Sequence, residues 1–386
     1  MSKILSVFLA VIMFLFPSAN LPKAQLDTET MNTQYTYVFV HGLSGWGEYA
    51  VYYNLMPYWG IFGGNLMKYL RARGADVHAA SVGPTESQWD RACELYAELT
   101  GTRVDYGEAH SARCGHARFG KDYSYRPLVD AWDAEHKINL LGHSFGGATV
   151  LQFVELMANG SAEEREASGE NVSELFTGGK ADWIYSVTTL AAPLCGTTAY
   201  EVRADIEVDP DATLDEHAEV GVLNTASNAP RDRIPEDCAE YDMYIDNAIR
   251  VNGSFEVLPN VYYFSIPCSM TVQNENGDYV PVEDGMEVLF RASAYRMGAY
   301  TGQTPGGFEI GPEWRENDGL VNTISARAPW GAPTVEFDPE SGAAQPGVWN
   351  VFPTYDGDHM SLQGGMTKNN NIRGLYIDLI QMINDL

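Results

Sequence analysis

The chain has 386 residues, 45% of them hydrophobic, and a formal net charge of −28. That length accommodates one large α/β domain or two smaller ones, with a substantial core. The acidity repels phosphate backbones and anionic surfaces, so nucleic acid and charged membranes are not expected partners.

Lys3, the apolar run 4–16 and Pro17-Ser18-Ala19 read as an export signal within residues 1–24, which implies a secreted chain. The run is shorter than the about 20 apolar residues of an ordinary span. Residues 35–40 are β-branched and aromatic, a buried strand, and lead into His41-Gly42-Leu43-Ser44-Gly45-Trp46-Gly47. A helix over 62–73, a strand over 77–82 and a helix over 86–99 follow, the last opening near Ser87 and ending at Gly101. Residues 102–126 read as irregular and 127–134 as a helix.

Next comes Ile138-Asn139-Leu140-Leu141-Gly142-His143-Ser144-Phe145-Gly146-Gly147, an apolar strand, a tight turn and a helix over 148–158. This is the G-x-S-x-G pattern of a nucleophile elbow, with Ser144 exposed on a strained strand-to-helix turn. Gly142 and Gly146 let two backbone segments pass where a Cβ would clash. The glycine-rich loop after the first strand then supplies half of an oxyanion hole, its donors being the Leu43 and Phe145 amides. Residues 159–179 read as loop and 183–191 as a strand. Residues 200–246 are acidic and poor in strand signals; with a helix over 213–225 they read as part of a cap, about 200–256. A strand over 261–266, a glycine-rich stretch over 277–311 and a closing helix over 372–383 complete the chain. Alternating strands and helices predict a mostly parallel sheet covered on both faces, an α/β class.

A serine hydroxyl needs a base, and the base an orienting acid. Only His217 and His359 follow Ser144, and His359 lies in a loop before the last helix, where this fold carries its base. Asp318, in Glu316-Asn317-Asp318-Gly319, is the acid; Asp356 and Asp358 lie too close to His359. Upstream, Asp90, His110 and His116 form a set suited to a tetrahedral ion, with one ligand to be found.

Trp89-Asp90-Arg91-Ala92-Cys93-Glu94, Gly115-His116-Ala117-Arg118-Phe119-Gly120, Glu316-Asn317-Asp318-Gly319 and Gly347-Val348-Trp349-Asn350 resemble the zinc-containing secreted lipases of Gram-positive bacteria, the thermoalkaliphilic group. The resemblance runs from about Tyr37 to the C-terminus. It implies an α/β-hydrolase fold over residues 25–386 and a triad of Ser144, Asp318 and His359. It also implies a structural zinc held by Asp90, His110, His116 and Asp242 in an insertion of about 90–126. Phe145 stands where the family usually has Gln. Ser361, Met366 and Thr367 replace the family's calcium ligands, so calcium is expected to be absent. The segment from Pro230 to Asp242 is shorter than the family's lid.

Of the five cysteines, the implied zinc would bring Cys114 and Cys238 together as one disulfide. Cys195 and Cys268 would form another at neighbouring strand ends, leaving Cys93 a buried thiol. The expected activity is carboxylic ester hydrolysis by a triacylglycerol lipase, with lipid esters as partners and transient contact with an oil–water interface. A short-chain esterase or polyesterase with a reduced lid, and a zinc-stabilised binding protein without activity, are the alternatives.

Overall fold

The computed structural model describes residues 30–202, 235–340, 343–365 and 372–386. Its centre is a sheet of seven strands: β1 Thr36–Val40, β2 Val77–Ala80, β3 Ile138–His143, β4 Ile184–Leu190, β5 Tyr262–Ile266, β6 Thr334–Glu336 and β7 Trp349–Val351. They lie in the order β6-β7-β5-β4-β3-β1-β2, every neighbouring pair parallel. Parallel neighbours oblige the chain to cross back outside the sheet between strands, and those crossings carry helices that cover both faces.

The side-chain alternation of β1 shows how the layers are filled. Val38 and Val40 face one side with Leu95 and Leu99 of α2 (Gln88–Thr100) and Val150, Phe153 and Val154 of α4 (Phe145–Asn159). Tyr37 and Phe39 face the other, with Leu66 and Leu70 of α1 (Leu66–Arg71) and Tyr376, Leu379 and Ile380 of α6 (Ile372–Asn384). This is the period-two pattern of a strand buried on both faces.

Capping sets several boundaries. The Ser87 hydroxyl accepts from the Asp90 amide to open α2, and Gly101 closes it in the left-handed region at φ 62°. Asn65 opens α1 later than expected, because its side chain accepts from the Lys68 amide. Residues 102–126 are not irregular: Arg103–Asp105 pairs with Phe119–Asp122 around a short helix α3, Glu108–Cys114. The expected helix over 127–134 is a series of bends. There the Leu128 amide donates to the Glu98 carbonyl and the Trp132 indole to the Trp183 carbonyl, tying the segment to its neighbours. Within the glycine-rich stretch, Val288–Ala299 forms helix α5.

The expected disulfides are not formed; all five cysteines are free thiols. Beyond β4 the chain turns away, and Cys195 packs with Ile245, Ile310 and Trp314 while its Sγ donates to the Ala328 carbonyl. Cys268 packs instead with Ile266, Phe264 and Phe337. Cys114 Sγ lies 3.8 Å from His110 Nδ1, whereas Cys238 Sγ donates to the Pro235 carbonyl. The export signal, the 213–225 helix and most of the expected cap lie outside the described residues. Among the described residues, no helix is long and apolar enough to cross a membrane.

Candidate active site and metal cluster

The elbow stands where β3 meets α4. Ser144 has φ 55° and ψ −132°, a conformation costing a non-glycine residue about 1–3 kcal/mol. Tight crossing on either side holds it. A Cβ on Gly142 would collide with the Gly146 carbonyl, and one on Gly146 with the Val40 carbonyl. The Ser144 amide donates to the Leu190 carbonyl of β4 at 2.8 Å, tying the turn to the sheet.

Three side chains distant in sequence meet here. His359 Nε2 lies 2.8 Å from Ser144 Oγ, and His359 Nδ1 lies 2.9 Å from Asp318 Oδ2. The second Asp318 oxygen accepts from the Leu320 and Val321 amides at 2.9 and 2.7 Å, which fixes the carboxylate in its own turn. The His359 amide donates to the Asp318 carbonyl, so the two loops are joined by backbone as well. Asp318 and His359 are buried, and Ser144 is 8% exposed. Asp358 is otherwise engaged: its Oδ2 accepts from the Glu287 amide at the start of α5.

Gly42 lies against the serine; a Cβ there would fall 2.7 Å from Ser144 Cβ and 3.1 Å from Oγ. The following amide, Leu43, and the Phe145 amide at the first position of α4 make no hydrogen bond among the described residues. Both are available to an anion, and the α4 N-terminus favours one. Two neighbours escaped the sequence reading. His143 is fully buried, and burial followed by the nearby His359 lowers its pKa to about 3, so it is neutral. Its Nε2 faces the His359 carbonyl at 2.9 Å and therefore carries the proton. Nδ1 then accepts from the Tyr58 hydroxyl at 2.7 Å, and that hydroxyl accepts from the Gly42 amide at 3.1 Å. A continuous chain of hydrogen bonds thus joins the histidine loop to the oxyanion loop. The His-Ser pair of the elbow was the available signal for His143; Tyr58 left none.

The second cluster is brought together by α2, α3 and the segment before Ala239–Asp242. Glu164 accepts from the Ala109 and His110 amides, capping α3. Trp89 stacks on the His110 ring at 5.2 Å. His110 Nε2 lies 3.1 Å from Asp90 Oδ1 and 3.3 Å from Asp237 Oδ1; His116 Nε2 lies 3.3 Å from Asp237 Oδ2 and 3.9 Å from Asp90 Oδ1. Burial lowers the His110 pKa, but the Asp237 and Asp90 carboxylates outweigh it and raise it to about 9.

Asp242 is not in this cluster, contrary to expectation. Its Oδ2 accepts from the Gln88 amide at 2.7 Å, capping α2, and burial pushes its carboxyl up to about 7. Asp237, one turn earlier, takes the place assigned to it. The sequence signal is the pair of aspartates bracketing Cys238-Ala239-Glu240-Tyr241, of which the family resemblance implies the second and the structure places the first in the cluster. His110, Cys114, His116 and Asp237 present donor atoms all within 4.8 Å of one another. Two of the donors, His116 Nε2 and Asp237 Oδ1, are buried with no well-aligned hydrogen bond, their nearest partners across the cluster lying at 3.3 Å. His116 Nδ1 is spent on the Ala117 carbonyl at 3.0 Å, which leaves Nε2 as a bare lone pair. Nitrogen and oxygen bonds of about 2.0–2.1 Å to a tetrahedral ion put donors about 3.3 Å apart, so the cluster fits zinc.

A family model described as lipase-like, C-terminal domain matches residues 33–214 and 231–384. EstA from Clostridium botulinum superposes with a TM-score of 0.77 at 30% identity, covering 97% of this chain and 94% of that one. Lipase 1 from Pelosinus fermentans superposes with a TM-score of 0.74 at 31% identity, covering 92% and 100%. Lipase 2 of Staphylococcus aureus is 31% identical over 363 residues, which are 86% of this chain and 50% of that protein. The chain therefore spans about half the length of the curated relatives it matches. With the parallel sheet and the match running almost end to end, the chain belongs to the lipase-like C-terminal domain family, on an α/β-hydrolase fold.

Proposed function

We propose that the chain is a secreted serine carboxylic ester hydrolase, a triacylglycerol lipase working through an acyl-enzyme. The observation that carries this is the unbroken line Ser144 Oγ, His359 imidazole, Asp318 carboxylate, with both links under 3 Å. Ser144 Oγ attacks the ester carbonyl carbon while His359 Nε2 takes the hydroxyl proton. The carbonyl oxygen, now an oxyanion, accepts from the Leu43 and Phe145 amides. His359 returns the proton to the leaving alcohol, leaving acyl-Ser144. Water, deprotonated by the same imidazole, then releases the acid. Asp318 holds the imidazole Nδ1–H and stabilises the imidazolium that forms in each half.

A fluorophosphonate probe on the full chain should label Ser144, and Ser144→Ala should abolish labelling and ester hydrolysis. An unlabelled wild-type protein refutes the assignment. Rates across a chain-length series of soluble esters, set against emulsified triglyceride, separate lipase from short-chain esterase. The relatives named as lipases support ester chemistry, and this series decides the chain-length preference.

We also propose a structural zinc ion held by His110, His116, Asp237 and Asp90, with the Cys114 thiol beside it. With its coordination filled by protein, the ion supplies cross-linking between α2, α3 and the segment before Ala239, not a reacting centre.

A further inference from the structure

Arg91 is fully buried in the middle of α2, and no carboxylate lies within ion-pair distance of it among the described residues. Its Nε has no hydrogen-bond partner. Burying a guanidinium is costly, and here only longer-range attraction from Glu94, Glu86 and Asp242 and hydrogen bonds to backbone carbonyls offset that cost. Burial lowers its pKa to about 10, so it is still a cation at neutral pH.

What it touches is the oxyanion loop. Its Nη2 donates to the His41 carbonyl, and its Nη1 approaches the Gly42 carbonyl at 3.5 Å. The Gly42 carbonyl is also 2.8 Å from His41 Nδ1. On the other side the guanidinium carbon lies 4.9 Å from the centre of the Phe145 ring. This one side chain therefore meets the carbonyl of the Gly42–Leu43 peptide and the ring of Phe145. The Gly42–Leu43 peptide is planar and trans, so its carbonyl and its N–H point in opposite directions. Holding the Gly42 carbonyl toward α2 turns the Leu43 N–H away from α2, toward the Ser144 side on which Gly42 packs.

Resting on the ester-hydrolase reading, we propose that Arg91 is the positioning residue of the oxyanion hole: its guanidinium sets the Leu43 amide and places a fixed positive charge behind the developing oxyanion. Its neighbour Asp90 reaches into the metal cluster, so one turn of α2 is anchored at the cluster and carries the charge to the reacting serine.

The test uses the full chain, Arg91→Met and Arg91→Lys, with a soluble p-nitrophenyl ester and a boronic acid that forms a tetrahedral adduct on the serine. Removal of an oxyanion donor typically costs about 10²–10³ in kcat, so Arg91→Met should lose about 10²-fold in kcat with KM within about 3-fold. Boronate affinity should fall by a similar factor, and Arg91→Lys, keeping charge but not the fork, should fall between. A merely structural role would not move boronate affinity in step with kcat while sparing KM. Arg91→Met with matching metal content and melting curve but kcat within about 3-fold of wild type overturns the proposal. So does a loss of kcat without a matching loss of boronate affinity. If Arg91→Met does not fold, Arg91→Lys decides alone, wild-type kcat and boronate affinity being the overturning result. A wild-type protein that fails to react with a phosphonate overturns this proposal and the hydrolase reading together, whereas a reactive wild type isolates the failure to Arg91.

Discussion

Asp318 accepts two backbone amides on one oxygen and the imidazole on the other, so replacing it removes the orientation of His359 while the turn keeps its shape. Asp318→Asn should therefore lower kcat about 10⁴-fold with the protein still folded, read from ester hydrolysis beside a melting curve. Glu98 offers a different residue-scale test. It is fully buried, and desolvation raises its pKa to about 8 despite a 2.8 Å hydrogen bond from the Ser81 amide. The folded chain thus holds a proton that the unfolded chain gives up near pH 4.5. Its contribution is complete below that value and is lost as pH rises through about 8. Glu98→Gln should flatten the fall in Tm between pH 5 and 9, an effect on the order of a few kcal/mol. Equal slopes in wild type and variant would dispose of this account. At this scale the sequence was most legible where chemistry is local. Ser144 is marked by its flanking glycines, and His359 stood out as one of two histidines after it. Asp237 and Asp242 lie about one turn apart, and only the direction in which that turn faces decides which carboxylate meets His110.

At the scale of elements, the oxyanion loop is fixed by what it cannot hold. Gly42→Ala would drive a methyl to 2.7 Å from Ser144 Cβ, with the loop between β1 and α1 obliged to retreat. Turnover should fall at least 10²-fold, and the Leu43 donor should be lost with it. Phosphonate labelling rates would report this directly. The core strands were legible because β1, β3, β4 and β5 are long apolar runs. β6 and β7 have three residues each, too few to show a period; β7 is a strand because β5 offers an edge, and β6 because β7 then offers the next. The helix expected over 127–134 failed for the converse reason. Its local pattern was adequate, but contacts with Glu98 and Trp183 hold Leu128 and Trp132 in a bent path along the neighbouring elements.

For the whole molecule, the His110–His116–Asp237 cluster joins parts of the chain more than 100 residues apart, and the proposed ion would clamp α3 to Asp237. A ligand present at about a thousand times its dissociation constant contributes about 4 kcal/mol of stability. Chelation should therefore lower Tm by several degrees, and added zinc should restore it. Asp237→Ala should abolish the difference between chelated and zinc-loaded protein; Asp242→Asn should retain it. The reverse pattern would return the ligand role to Asp242. The architecture as a whole was readable from alternation of strand and helix, whereas the free state of the cysteines was not. Cys195 and Cys268 sit past adjacent strands but enter different clusters, a fact that no spacing encodes.

The order in which the site residues occur along the polypeptide has a consequence for synthesis. Under the proposed mechanism, the serine at 144 is synthesised well before the imidazole at 359 that would take its proton. A partial product that stops short of residue 359 would carry a serine hydroxyl with no such partner. Ester cleavage would then begin only after that histidine has been added and its loop has docked against the elbow.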